Sequence, residues 1–138
     1  MRDMGPYAAY RITTDKPGHV DLAMPIGTPV YALRAGAVEH ALYDDSYGFS
    51  VLIQEADGSR TRYAHFATPP VVFVGASVVA QSLLGYSGNT GISTGPHLHL
   101  GARDEANNPI DPLRGAGVNW ANWVAVAAVG ALAAWLLV

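Results

Sequence analysis

The sequence predicts an all-β domain, a small antiparallel β-sandwich or partly open barrel, followed by one C-terminal transmembrane α-helix. Three observations predict it. Short apolar or alternating runs recur between turn signals along residues 17–114, no stretch there shows three or four turns of helical period, and the last 24 residues carry no charge. At 138 residues the chain has room for one domain with a hydrophobic core.

Residues 1–16 read as a lead-in and 17–114 as the compact unit. Strands are expected at 30–33, 37–42, 49–54, 61–66, 71–74 and 97–102, where apolar and β-branched residues concentrate. Pro25-Ile26-Gly27, Asp44-Asp45, Asp57-Gly58 and Pro69-Pro70 punctuate them as turns. The clearest hairpin is 49–66, with Asp57-Gly58 at its middle.

A short link, 115–119, leads into 120–138, which reads WANWVAVAAVGALAAWLLV. As a helix this segment spans about 28 Å, close to the hydrocarbon thickness of a bilayer. Trp120 and Trp123 mark one end and Trp135 the other, as an interfacial aromatic belt would. Ala127 with Ala131, and Gly130 with Ala134, set small residues four apart, a surface suited to helix–helix partners in lipid. A helix that is apolar on every side needs burial on every side, more than one small domain supplies, so a single-pass membrane location is expected. The first residues hold no apolar stretch of signal-peptide length.

Composition excludes several classes. Half the residues are apolar and 14% are charged, unlike a disordered chain. Acids outnumber bases 11 to 8, net −3, which argues against a nucleic-acid partner. With no cysteine, disulfide scaffolds, thiolate zinc sites, iron–sulfur clusters and thiol catalysis all fall away. Transition-metal chemistry has to rest on five histidines and the carboxylates.

Four histidines fall in three tight contexts: Gly18-His19-Val20-Asp21, Tyr63-Ala64-His65 and Pro96-His97-Leu98-His99. Side chains two apart on a strand share a face, so His19 projects with Asp21, and His97 with His99. Two imidazoles and a carboxylate from separate strands can close three corners of a tetrahedron and leave the fourth to water. Zinc suits this nitrogen and oxygen set, although other divalent metals can occupy it. The remaining histidines would orient the water or stabilise the oxyanion that follows its attack. Taken singly, His97-x-His99 also reads as a surface pair, and His65 as a hydrogen-bonded core residue. His40 has no carboxylate two residues away and is read as structural.

The segments GHVDLAMPIGTPVYAL, TRYAHF and GYSGNTGISTGPHLHL, followed by NNPIDP, carry a longer likeness running from Gly18 to Pro112. In order and spacing they resemble the lysostaphin/LytM-type zinc metallopeptidases. The resemblance implies an antiparallel β fold with one zinc ion in a central groove, and hydrolysis of peptide crosslinks in bacterial peptidoglycan. By motif, Asp21 and His99 would ligate zinc, while His97 and His65 would flank the scissile carbonyl as acid/base and oxyanion-stabilising groups. Loops 43–47 and 86–94 would wall the groove, with Gly85, Gly88, Gly91 and Gly95 letting the backbone approach a ligand closely.

The pattern departs from the family in two places. The family has a histidine four residues before the aspartate; here that residue is Pro17, and His19 stands two before Asp21 instead. Either His19 serves as the first metal ligand or the site is degenerate, and its presence on the Asp21 face of the strand favours the ligand role. Gly101 follows His97-Leu98-His99-Leu100 where the family commonly has an acid, which loosens the outer shell of the site. The expectation is therefore a membrane-anchored zinc endopeptidase acting on peptidoglycan. A bacteriophage protein, carried in a virion membrane or released at lysis, would reconcile a missing leader with a cell-wall substrate. The alternative is a catalytically degenerate domain serving as a cell-wall-binding or structural membrane protein.

Overall fold

The computed structural model describes residues 3–116. It is all-β and antiparallel, with one short 3-10 turn at Gly5–Tyr7. Nine strands form in chain order: β1 (Ile12–Lys16), β2 (His19–Ala23), β3 (Pro29–Tyr31), β4 (Gly36–Asp44), β5 (Gly48–Gln54), β6 (Arg60–Phe66), β7 (Ser77–Val78), β8 (Leu83–Tyr86) and β9 (His97–Arg103). Seven build one sheet in the order β1-β2-β9-β6-β5-β4-β7, and β3 pairs with β8 in a second. The segment expected to span a membrane, 120–138, lies outside the described residues, as does most of the link before it. Among the described residues no helix is long and apolar enough to cross a bilayer.

Alternation on two neighbouring strands decides which face is which. Along β2, Val20 and Leu22 are buried while His19, Asp21 and Ala23 face the other way. Along β9, Leu98, Leu100 and Ala102 are buried while His97, His99 and Gly101 share the opposite face. The apolar set joins Val51, Ile53, Tyr63 and Phe66 of the central hairpin and Val30 and Leu84 of the small sheet in one core. Burying each Leu or Val there contributes about 1.5–3 kcal/mol, which fixes the register. A slip of one residue would send every leucine to solvent and every histidine into the core.

The hairpin expected around Asp57-Gly58 forms as β5 and β6, with Gln54 opposite Arg60. Gly58 takes φ +85, and Asp57 Oδ1 accepts the Ser59 N–H at 3.0 Å. The strand expected at 71–74 does not form. Pro69 and Pro70 withhold two ladder donors just before it, and Gly75 at φ +91 turns the chain just after it. Val71, Phe73 and Val74 are left 55%, 71% and 58% exposed, while pairing passes to the shorter β7 and to β8. The run expected at 30–33 is a strand only as far as Tyr31, although Ala32 and Leu33 stay buried. Residues 1–16 contribute to the domain: β1 pairs with β2, and the Tyr7 ring is 1% exposed.

Candidate active site

Asp21 and His99 face each other directly in the β2–β9 register. His19, two residues before Asp21 on the same face, brings its Nε2 to 2.8 Å from Asp21 Oδ1 and 3.0 Å from His99 Nδ1. His99 Nδ1 also lies 3.0 Å from Asp21 Oδ1. The three atoms form a nearly equilateral triangle, and this group could hold a metal ion. The His19 and His99 rings meet edge to face at 4.3 Å.

With Asp21 ionised, no placement of protons on the two imidazoles satisfies this triangle. If both imidazoles donate to the carboxylate, two N–H groups confront each other at 3.0 Å; if one is bare, its lone pair confronts an anionic oxygen. A cation at the centre turns all three contacts favourable. In tetrahedral zinc sites, with bonds of about 2.0–2.1 Å, neighbouring ligand atoms sit about 3.3–3.4 Å apart. The observed edges need to open by only a few tenths of an ångström, and the donor set suits the ion. Pro17 has no donor to offer, and His19 reaches the position from the backbone two residues further on.

Electrostatics prepares the carboxylate as a ligand. Burial by itself pushes the Asp21 carboxyl up, but hydrogen bonds from His99 and His19, with their nearby charge, hold it well below the usual carboxylate range. Burial lowers the His99 imidazole and outweighs its hydrogen bond to Asp21, favouring the neutral form that binds metal.

His97 and His65 stand beside the triangle with their orientations fixed from behind. His97 Nδ1 donates to the Gly95 carbonyl at 2.8 Å, with the Ser93 hydroxyl at 3.0 Å, and its Nε2 sits 3.8 Å from Asp21 Oδ1. His65 Nδ1 donates to the Thr90 carbonyl at 2.6 Å, which leaves its Nε2 with the lone pair. Their ring centroids are 4.7 Å apart. Strict alternation after Arg62 and Ala64 would turn His65 into the core. Instead His65 adopts φ +67, and its N–H bonds the Tyr47 carbonyl rather than a ladder partner. This local break re-aims the ring toward the site. Burial lowers the His65 imidazole, and the charges of His97 and His99 push the same way, against the Thr90 hydrogen bond.

The loops expected to wall the groove, 43–47 and 86–94, pack against each other: Ile92 N–H bonds the Ser46 carbonyl at 2.9 Å, and Phe49 N–H bonds Thr90 Oγ1 at 3.2 Å. At Gly88 and Gly91 the protein's own chain approaches closely. A side chain at Gly88 would strike Ala67, and one at Gly91 would strike the backbone around Gly48. His40 lies on β4, away from the other four, with its Nε2 buried and without a hydrogen bond. Two further groups stand at the site, neither singled out as a functional residue by the sequence pattern. The Tyr47 ring lies 5.6 Å from His99, and the Arg62 guanidinium stacks on Tyr47 at 4.2 Å. Only the strand register, which places Arg62 on the His99 face, points to the second.

Comparison with known proteins finds relatives both in sequence and in fold. The peptidoglycan DD-endopeptidase ShyA of Vibrio cholerae is 44% identical over 79 residues, 57% of this chain and 18% of ShyA. The catalytic domain of lysostaphin from Staphylococcus simulans superposes with a TM-score of 0.70 at 29% identity, covering 81% of this chain and 91% of that domain. A zinc-containing peptidase from Vibrio cholerae gives a TM-score of 0.70 at 30% identity, over 78% of this chain and 37% of the other. The chain spans about a fifth of the length of the curated relatives it matches. The family model for Peptidase family M23 matches residues 16–112, and the chain belongs to that family.

Proposed function

We propose that the chain is a zinc endopeptidase that hydrolyses peptide crosslinks of bacterial peptidoglycan. The observation that carries this reading is the triangle of His19 Nε2, Asp21 Oδ1 and His99 Nδ1, with His97 and His65 beside it. His19, Asp21 and His99 would hold the ion. Zinc, when bound there, supplies Lewis-acid polarisation of the scissile carbonyl and a water nucleophile active at neutral pH.

The chain's own residues supply the proton transfers. With Nδ1–H committed to Gly95, neutral His97 presents a lone pair at Nε2. It takes the proton of the attacking water and returns it to the leaving amine. His65, anchored to Thr90, presents its Nε2 from the neighbouring position; taking a proton there from solvent, it donates to the oxyanion. Because burial disfavours a resting imidazolium at His65, the charge develops there chiefly against the negative charge of the tetrahedral intermediate. Tethering to a bilayer through 120–138 would confine the enzyme to a surface; that part of the proposal rests on the sequence alone.

The test is the turbidity of purified sacculi incubated with the full chain. Clearing that stops on chelation and returns with added zinc supports the reading. Sacculi that stay turbid with zinc present contradict it.

A further inference from the structure

One cross-sheet row links the metal triangle to an unpaired cation. In the antiparallel registers, Lys16 lies opposite His19, His19 opposite Gly101, Gly101 opposite Arg62, and Arg62 opposite Leu52. Directly opposed residues share a face, so all five look out of the same side of the sheet. A groove of about 590 Å³ runs along this row from His19 and His99. Four cations line it (Lys16, Arg60, Arg62 and Arg103) against two carboxylates, Asp104 and Glu105, in a chain whose net charge is −3.

Three of these six charges already have hydrogen-bonding partners. Arg60 bridges Glu39 with bonds of 2.8 and 3.1 Å, and Arg103 Nη1 donates to the Asn107 carbonyl at 3.0 Å. Asp104 accepts the backbone and side-chain N–H groups of Asn108. Arg62 differs. Its guanidinium makes no hydrogen bond or ion pair among the described residues, its Nη1 is shielded from solvent without a partner, and it stacks on the Tyr47 ring. A half-buried guanidinium with an aromatic face and no anion is an incomplete pair.

Gly101 keeps the space between Arg62 and the metal site open. A Cβ built there would lie 3.1 Å from His99 Nε2, so the volume left by the missing side chain is within hydrogen-bond distance of that nitrogen. His99 turns its Nδ1 toward Asp21 and His19, so as a ligand it carries its proton on Nε2. That nitrogen makes no hydrogen bond among the described residues.

We propose that Arg62, the opening over Gly101 and the Nε2–H of His99 form an anion subsite that binds a free carboxylate of the peptide substrate beside the scissile bond. The inference rests on the peptidase reading and names the substrate class the site selects: crosslinks whose stem peptides carry a carboxylate rather than an amide. Arg62 supplies a forked donor suited to a carboxylate, and His99 gains in the same group its missing outer-shell partner.

The experiment is calorimetric titration of the full chain with two uncrosslinked stem peptides. In one the γ-linked glutamate carries a free α-carboxylate; in the other that carboxylate is amidated. The carboxylate peptide is expected to bind about tenfold more tightly, equivalent to about 1.4 kcal/mol. The preference should fall below about twofold in Arg62→Gln and persist in part in Arg62→Lys. Equal affinities in the parent chain, an undiminished preference in Arg62→Gln, or no binding of either peptide would overturn the subsite. The two-peptide comparison on the parent needs no variant and decides even where Arg62→Gln does not fold. Clearing of sacculi alongside any of these failures would leave the peptidase reading standing without the subsite.

Discussion

His19 Nε2 lies 2.8 Å from Asp21 Oδ1, although the two residues are only two apart on β2. The strand's period of two puts both on the groove face, and the β2–β9 register brings His99 in from the neighbouring strand. A histidine two positions before the carboxylate therefore completes a three-donor cluster in a chain that has Pro17 four positions before it.

The two flanking histidines, His97 and His65, are hydrogen-bonded to Gly95 and Thr90 rather than to the three converging donors, so removing either should leave metal binding intact. His97→Ala is expected to lower the hydrolysis rate by about 10²–10⁴-fold, the range for losing a positioned acid/base group. His65→Ala should fall within the same range. Rates on sacculi, together with metal content, check this. Full activity in His97→Ala would refute its role.

Acid should destabilise the metal-free protein. The folded state holds His65 and His99 below their ordinary values, so the unfolded chain binds more protons below about pH 6.5. Their contribution is complete above that pH and is lost as the pH falls. Asp21, also depressed, adds a loss in the same direction below about pH 4. Denaturant midpoints of chelator-treated protein should drop steadily from pH 7.5 to pH 4. A midpoint that rises over this interval would contradict the assignment.

Tyr63 shows how much of the core depends on one hydroxyl. Its ring is 1% exposed, and its oxygen accepts the Leu33 N–H at 2.9 Å. Tyr63→Phe removes that hydrogen bond and should cost about 0.5–1.5 kcal/mol. Urea unfolding of the two proteins measures it, and a variant as stable as the parent would show that water replaces the hydroxyl.

The segment 120–138 carries the membrane expectation. The 138-residue chain should partition into a detergent phase or vesicles, and one ending at Ala116 should remain in the aqueous phase. Aqueous partitioning of the 138-residue chain would count against a spanning helix.

The site is more legible in the sequence than the fold around it. His-x-Asp and His-x-His each announce a shared strand face, so the donors on β2 and β9 can be grouped from the residue pattern alone. Strand alternation reads locally, and those two strands follow it without interruption. His65 can be placed on its strand but not aimed, because its left-handed backbone depends on the Tyr47 carbonyl, a contact with another loop. The run at 71–74 misleads because apolar content without alternation does not identify a strand, and the flanking Pro70 and Gly75 outweigh it. Arg62 carries no local sign of a site residue, since a single charge beside Thr61 and Tyr63 looks like any exposed strand position. Its meaning comes from Gly101, which lies opposite it in the sheet and 39 positions away in the chain.

Zinc titration of metal-free full chain and of His19→Ala tests the central claim most directly. Losing an outer-shell partner costs about 10–100-fold in metal affinity, and losing a ligand costs more. The parent should bind one zinc per chain, and His19→Ala should bind at least about a hundredfold more weakly. A parent that takes up no zinc at neutral pH, or a His19→Ala chain that binds it as tightly as the parent, would contradict the account.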